Sequence, residues 1–343
     1  MRLHAYAPTR IDLAGGTLDL WPLYLFHPGA LTLNLAVTRY AHCVLERRRD
    51  RRLVLVSGDT NQREEFSSLG ALMKKKRSRL PLLAELVGTF ARRGGSSSLS
   101  RSGLTIVTWS EVPPGSGLGG SSALAIAVIA ALERFTQTRL PVVDWIPLAR
   151  DIEVRLIGVP TGEQDHYPAV YGGASAIHLE PVRTWREELK VDLKALEERL
   201  LLVYTGQPRG SGVNNWKVYK KYLDGDRRLR RNLAEIAQTA SAMREAFLKE
   251  NWTKVAKLLA REWGTRRRNA PKISTPFIDR LMRVGRRHGA QAAKVCGAGG
   301  GGCVVFMCVP GRRAELATAL ARAGATLLPF RLARRGVQVA RWA

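Results

Sequence analysis

Residues 113–122 read PPGSGLGGSS, and residues 123–135 read ALAIAVIAALERF. This junction constrains the fold more than any other part of the chain. The first stretch holds four glycines and three serines. The second is apolar on all sides, so a helix made from it must be buried and its N-terminus fixed in space. A helix N-terminus leaves backbone N–H groups unpaired and carries partial positive charge. A glycine-rich lead-in lets the backbone approach an anion closely. The pattern therefore predicts a phosphate site at the start of a buried helix over 121–135. No Gly-Lys-Ser/Thr follows the glycines, so this is not a Walker A loop and no lysine is supplied in place. Taken alone, the same residues also suit a plain turn before a helix.

Around this junction the chain mixes strands and helices. Strands are expected at LTLNLAV (31–37), AHCVLER (41–47), RLVLVSG (52–58), LTIVTWS (104–110) and GGASAIHLE (172–180). A second helix is expected near 143–157, followed by a turn at GVPTGEQD (158–165). The second half is more helical: Leu229, Leu233, Ile236, Ala240, Met243 and Phe247 fall at helical spacing. Further helices are expected near 252–263, 276–288 and 312–323, with a strand, glycine turn and strand over 292–310 and a last strand near 326–332.

Charge narrows the partners only weakly. Lys and Arg number 55 against 29 Asp and Glu, a net +26, yet the basic residues are scattered in short runs such as 47–52, 74–77 and 227–231. That scatter fits solvated faces better than one nucleic-acid stripe, so no specific nucleic-acid partner is expected. No run of 18 apolar residues exists, so no membrane partner is expected. The N-terminus lacks an apolar signal region, and the four cysteines form no C-x-x-C. Buried thiols and a cytoplasmic location are the expectation.

One carboxylate stands out by position. In the helix near 143–157, Ile146, Ala149, Ile152, Leu156 and Ile157 define an apolar face, and Glu153 falls inside it. A carboxylate on a buried face needs a partner, which an arginine or a metal ion could supply.

Two more words accompany the glycine loop: APTRIDLAGGTLDLWPLY (7–24) and KVCGAGGGGC (294–303). With AGGTLD, PPGSGLGGSSA, GEQDHYPAVYGGA, VYTGQPRGSG and GAGGGGC, they make the chain resemble the GHMP kinases over nearly its whole length. The nearest branch is that of the bacterial heptose-phosphate kinases and fucokinase-like enzymes. The resemblance implies an α/β (α+β) fold of two domains. A ribosomal-protein-type β-α sandwich would occupy 1–185 and a ferredoxin-like domain 186–343, with the active site in the cleft between them. It implies transfer of the γ-phosphoryl group of ATP to a hydroxyl of a sugar or sugar phosphate, with the anomeric hydroxyl expected.

The same resemblance assigns roles. Pro114, Gly115, Ser116, Gly117, Leu118, Gly119, Gly120, Ser121 and Ser122 would wrap the phosphates of ATP. Ser121, with Ser122 as the fallback, and Glu153 would hold Mg²⁺. Asp165 would accept or orient the substrate hydroxyl proton, and Arg10 would keep it ionised. Asp19, Gly16 and Thr17 would meet the sugar. Arg209 and Ser211 would face the substrate, Arg209 reaching any phosphate it carries. Gly299 and Gly300 would approach from the second domain.

Two departures from the branch are visible. Its usual G-G-G-T-D reads Gly15, Gly16, Thr17, Leu18, Asp19 here, and Glu163 adds a carboxylate two residues before Asp165. Glu163 is expected either to face solvent or to raise the proton affinity of Asp165. His166 is read as structural or substrate-lining, and Trp109 and Tyr167 as core residues near the motifs. The rivals are a kinase of the same fold acting on mevalonate, homoserine or another polyol, and a non-catalytic nucleotide- or nucleic-acid-binding regulator. A homodimer is one assembly open to the chain.

Overall fold

The computed structural model describes residues 1–95, 99, 102–208 and 211–341. Twelve strands are present among them: β1 (Arg2–Ala14), β2 (Leu31–Arg47), β3 (Leu53–Ser57), β4 (Gln62–Phe66), β5 (Leu104–Ser110), β6 (Ala174–Leu179), β7 (Thr184–Glu188), β8 (Leu200–Tyr204), β9 (Ala290–Val295), β10 (Cys303–Cys308), β11 (Thr326–Leu327) and β12 (Gln338–Arg341). The α-helices are α1 (Leu69–Lys74), α2 (Pro81–Phe90), α3 (Gly120–Thr136), α4 (Trp145–Ile157), α5 (His166–Tyr171), α6 (Leu193–Glu197), α7 (Ser211–Leu223), α8 (Arg227–Leu248), α9 (Trp252–Arg266), α10 (Pro276–Arg287) and α11 (Arg313–Arg322).

The strands form two sheets. The larger runs β12-β1-β2-β5-β3-β4, with β6 paired to β2 and β7 to β6. The smaller runs β11-β8-β10-β9 and is antiparallel throughout. The last strand of the chain, β12, returns to the first sheet and pairs with β1.

The two strands expected at 31–37 and 41–47 are one strand of 17 residues. Its first half pairs with β6 and its second half with β5, while β1 follows it along its length. A register shift opposite Pro8 and Thr9 marks the change of partner. β1 lies ahead of the strand segments named from the sequence. Its inward residues Leu3, Ala5 and Ala7 are mostly small, and its second half is buried around Arg10 and Asp12, so neither period nor polarity announces a strand. The strand expected over 326–332 shrinks to two residues, because Pro329 has no N–H to give a ladder; Leu332 makes a single bridge to Val37.

α3 matches the expected buried helix. Ile126, Val128, Ile129 and Leu132 are fully buried, and the helix packs across β1 and β2. Burying each such side chain contributes about 1.5–3 kcal/mol. That anchors the helix N-terminus as a rigid point. All four cysteines are buried. Among the described residues no helix is long and apolar enough to cross a membrane.

Candidate active site

The loop before α3 is built on left-handed glycines. Gly119, at φ +73°, is the N-cap of α3 and offers no side chain to the first-turn amides. A Cβ on Gly119 would sit 3.2 Å from the Asp165 side chain, so the loop and that carboxylate are in contact. Gly302 is packed as tightly from the other side: a Cβ there would lie 2.5 Å from the Ser116 carbonyl oxygen. The Cys303 amide donates to that same oxygen at 2.7 Å. The C-terminal glycine segment therefore supports the loop from the second sheet.

A cleft of about 800 Å³ opens over this loop. Pro114–Gly117 and Gly119–Ser122 line it, whereas Leu118 turns into the core and gives its carbonyl to the Arg10 amide at 2.9 Å. Gly297 and Ala298 also line it. Gly299 and Gly300 do not; they fold onto Ile273, whose carbonyl accepts from the Gly300 amide at 2.8 Å. The turn needed for that contact carries them away from the cleft, where the family resemblance had placed them. Arg209 lies outside the described residues, and Ser211 begins α7.

Asp165 and Arg10 form the centre of the cleft. Arg10 donates from Nε and Nη2 to Asp165 Oδ1 at 2.8 and 2.5 Å, and its Nη1 donates to the Gly117 carbonyl. One guanidinium thus ties the carboxylate to the loop. Burial opposes the charge on Arg10, but Asp165 and Asp12 outweigh it and hold the group above its ordinary value.

Glu153 reaches the same place from α4. Ser121 donates to its Oε1 at 3.3 Å, and Ser122 also hydrogen-bonds it. No lysine or arginine among the described residues pairs with it. Its nearest cationic candidate, His166 Nε2 at 3.8 Å, is wholly buried and pushed down to about 4 by that burial, so it stays neutral. Glu153 is pushed up to about 7, first by burial and then by the charge of Asp165. Leu156 and Ile157, expected on the buried face of this helix, are 38% and 47% exposed because that end of the face opens into the cleft.

Asp19 closes the other end. Its Oδ2 accepts from the Gln164 amide at 3.2 Å, and Gly162 leaves it room, since a Cβ there would lie 1.7 Å from Oδ2. Burial, then Asp165, raises it to about 7. Thr17 takes φ +74°, a left-handed conformation that costs a β-branched residue on the order of 1–3 kcal/mol. Arg266 holds it there, donating to Thr17 Oγ1 at 3.1 Å and to the Gly16 carbonyl at 2.9 Å. The glycine-to-threonine departure therefore occupies a glycine-shaped position.

Glu163 neither faces solvent nor bonds Asp165. It is buried and ion-paired with Arg150 on α4, one of the cations that the sequence left unplaced. Trp109 stacks on His42 at 4.7 Å, and the Tyr167 hydroxyl donates to the Thr184 carbonyl at 3.0 Å; neither lines the cleft.

Two ion pairs were missed. Arg266 is held by Glu262 on its own helix, both buried. Lys294, on β9 of the second sheet, pairs with Asp12 of β1, and both are fully buried. Asp12 Oδ1 also accepts from the Gly297 amide at 2.7 Å and lies 3.6 Å from Arg10. The signal for Lys294 was its place in AAKVC, a lysine inside an apolar strand.

Matches to known proteins agree with this geometry. Residues 82–173 match the GHMP kinases N terminal domain, and residues 243–326 match the GHMP kinases C terminal region. The chain belongs to the GHMP kinases. It is 28% identical over 340 residues to the D-glycero-alpha-D-manno-heptose 7-phosphate kinase of Campylobacter jejuni, covering 98% of each chain. It is also 28% identical over 244 residues to the mevalonate kinase of Pyrococcus horikoshii, covering 70% of this chain and 69% of that one. A crystal structure of a D-glycero-D-manno-heptose 1-phosphate kinase from Bacteroides thetaiotaomicron superposes with a TM-score of 0.79 at 23% identity, over 99% of both chains. The two-domain GHMP kinase fold is thereby the fold of this chain.

Proposed function

We propose that the protein transfers the γ-phosphoryl group of ATP to a hydroxyl, the anomeric one, of a sugar or sugar phosphate of the heptose-phosphate type. One observation carries the reading. A carboxylate, Asp165, is held by a buried arginine against a glycine-rich helix N-terminus, with Asp19 in the same cleft. The full-length likeness to a heptose 7-phosphate kinase supports the sugar class.

The chain's groups divide the work as follows. The amides of Gly119–Ser122 take the phosphate oxygens, and Leu156, Ile157 and Val112 offer an apolar wall for the purine. Asp19 accepts hydrogen bonds from sugar hydroxyls. Asp165 takes the proton of the reacting hydroxyl as its oxygen bonds to the γ-phosphorus and the bond to the ADP oxygen breaks. Arg10 neutralises charge on the transferring group and keeps Asp165 aimed.

Ser121 and Glu153 fit a Mg²⁺ ion. Glu153 is a half-buried carboxylate with two hydroxyls beside it and only a neutral histidine near, a set of hard oxygen donors lacking a countercharge. Among the described residues no three acidic, histidine or cysteine side chains gather to hold a metal, so phosphate oxygens and water would complete the shell. The ion would supply charge neutralisation between phosphates.

We place the ATP-binding domain at 1–185 and the second domain at 186–343. β1–β6 share one sheet and β8–β11 form the other, which supports a division near 185; β7 (Thr184–Glu188) and the returning β12 (Gln338–Arg341) belong to the first sheet, so residues 186–188 and 338–341 pack with the first domain although they follow that boundary.

The test is ADP release from Mg·ATP against free and 6- or 7-phosphorylated sugars, mevalonate and homoserine, with Asp165→Ala as blank. Turnover on a sugar that vanishes in the blank is expected. Normal turnover in Asp165→Ala, or turnover on mevalonate alone, would overturn the proposal.

A further inference from the structure

The cleft has a side chamber. A second cavity of about 450 Å³ adjoins it, and Asp19, Pro160 and Thr161 line both. That volume is in the range of a small-molecule site rather than of a single side chain. Three aromatic rings line the chamber: Trp21, Tyr24 and Tyr219. Trp21 is 64% exposed, an indole left in water at the edge of a cavity.

Its charge sets it apart from the rest of the protein. The ionisable lining groups besides the tyrosines are Asp19, Arg150 and Glu163. Arg150 is already committed: it pairs with Glu163 and donates to Asp151 Oδ1 at 2.8 and 2.7 Å. Two carboxylates thus face one engaged arginine, in a chain whose net charge is +26. A phosphate group placed here would lie beside Asp19 and Glu163 and be repelled. A neutral polyol would not. Aromatic faces cover the C–H side of a sugar, and carboxylates and the Thr161 and Thr184 hydroxyls bond its O–H groups.

We propose that this chamber is a specificity subsite for the neutral, polyhydroxylated part of the substrate. The C–H face of the sugar lies against Trp21 and Tyr219, its non-reacting hydroxyls meet Glu163 and the two threonines, and Asp19 is shared between chamber and cleft. Any phosphate on the substrate points away, along the main cleft. The inference rests on the sugar-kinase reading above and adds where the unphosphorylated edge of the sugar goes.

The experiment uses the sugar that the wild-type protein turns over, in its free and phosphorylated forms, with two variants. Trp21→Ala removes an exposed ring, and Val154→Trp fills the chamber from α4. Each is expected to raise KM for the sugar about tenfold, the scale of one lost apolar or hydroxyl contact. kcat and KM for ATP should stay within about twofold, and the loss should be equal for free and phosphorylated forms. An unchanged KM in both variants would overturn the subsite. So would a loss confined to the phosphorylated form, which would place the phosphate in the chamber. Should the wild type turn over no sugar, the kinase reading fails, and saturation-transfer NMR with the same sugars still judges the chamber. Contact that Trp21→Ala abolishes would support it, and equal contact in wild type and variant would refute it.

Discussion

Asp19→Asn should make the protein more stable at alkaline pH while removing sugar binding. Asp19 is 6% exposed and ionises at about 7, raised first by burial and then by Asp165. Unfolded, it ionises at 3.8. Because the folded value is the higher one, the folded state holds the proton more tightly. Stability from this group is complete below 3.8 and is lost as pH rises to about 7. The whole loss is about 4 kcal/mol as an upper figure, with about 3 kcal/mol falling between pH 5 and pH 8. An amide of the same shape carries no such cost. It can still accept from the Gln164 backbone amide, and once the Gln164 side-chain amide, whose Nε2 now donates to Asp19 Oδ1 at 3.5 Å, turns over, its NH₂ can serve Gln164 Oε1, a buried oxygen with no partner. Urea unfolding of wild type and variant at pH 5 and pH 8 measures the difference. The variant's advantage should grow by about 2–3 kcal/mol from the lower to the higher pH. An advantage that does not change with pH, or a variant less stable at pH 8, would refute the reasoning.

Three further outcomes are expected. Gly162→Ala should displace the Asp19 carboxylate, because its Cβ would lie 1.7 Å from Oδ2; overpacking of this kind costs about 1–3 kcal/mol. KM for the sugar should rise with KM for ATP unchanged, and steady-state kinetics showing neither effect would contradict the packing described. Lys294→Met should cost up to about 3–5 kcal/mol in urea unfolding, since it removes the lysine from the buried Asp12 carboxylate and leaves it Arg10 at 3.6 Å and the Gly297 amide; a loss below about 1 kcal/mol would mean the pair contributes little. Glu153→Gln should raise the Mg²⁺ concentration for half-maximal rate by at least about tenfold, with KM for the sugar unchanged, as a Mg²⁺ titration of ADP release would read.

Much of the site was legible in the chain because its chemistry is local. The glycine loop and its apolar helix sit side by side, and their spacing alone gave the left-handed loop before α3 and the buried position of that helix. Glu153 could be singled out because its helix has a clear period, and the structure does point it at Ser121. The segment 297–302 was read as approaching the loop, and Gly302 and Cys303 do so, but which glycines face the cleft depended on Ile273, far away in sequence.

By itself, then, the sequence determined the motifs, their order and the residue types proposed for phosphate, metal and proton, since each motif needs only a few neighbours in one backbone conformation. Only the tertiary structure decided which charges meet. Lys294 to Asp12 and Glu163 to Arg150 lie 282 and 13 residues apart, and nothing local selects one cation from among so many, whereas Arg10 beside Asp165 is what the family resemblance implies. Those pairs exist because burial leaves a charge no partner but the one the fold brings to it.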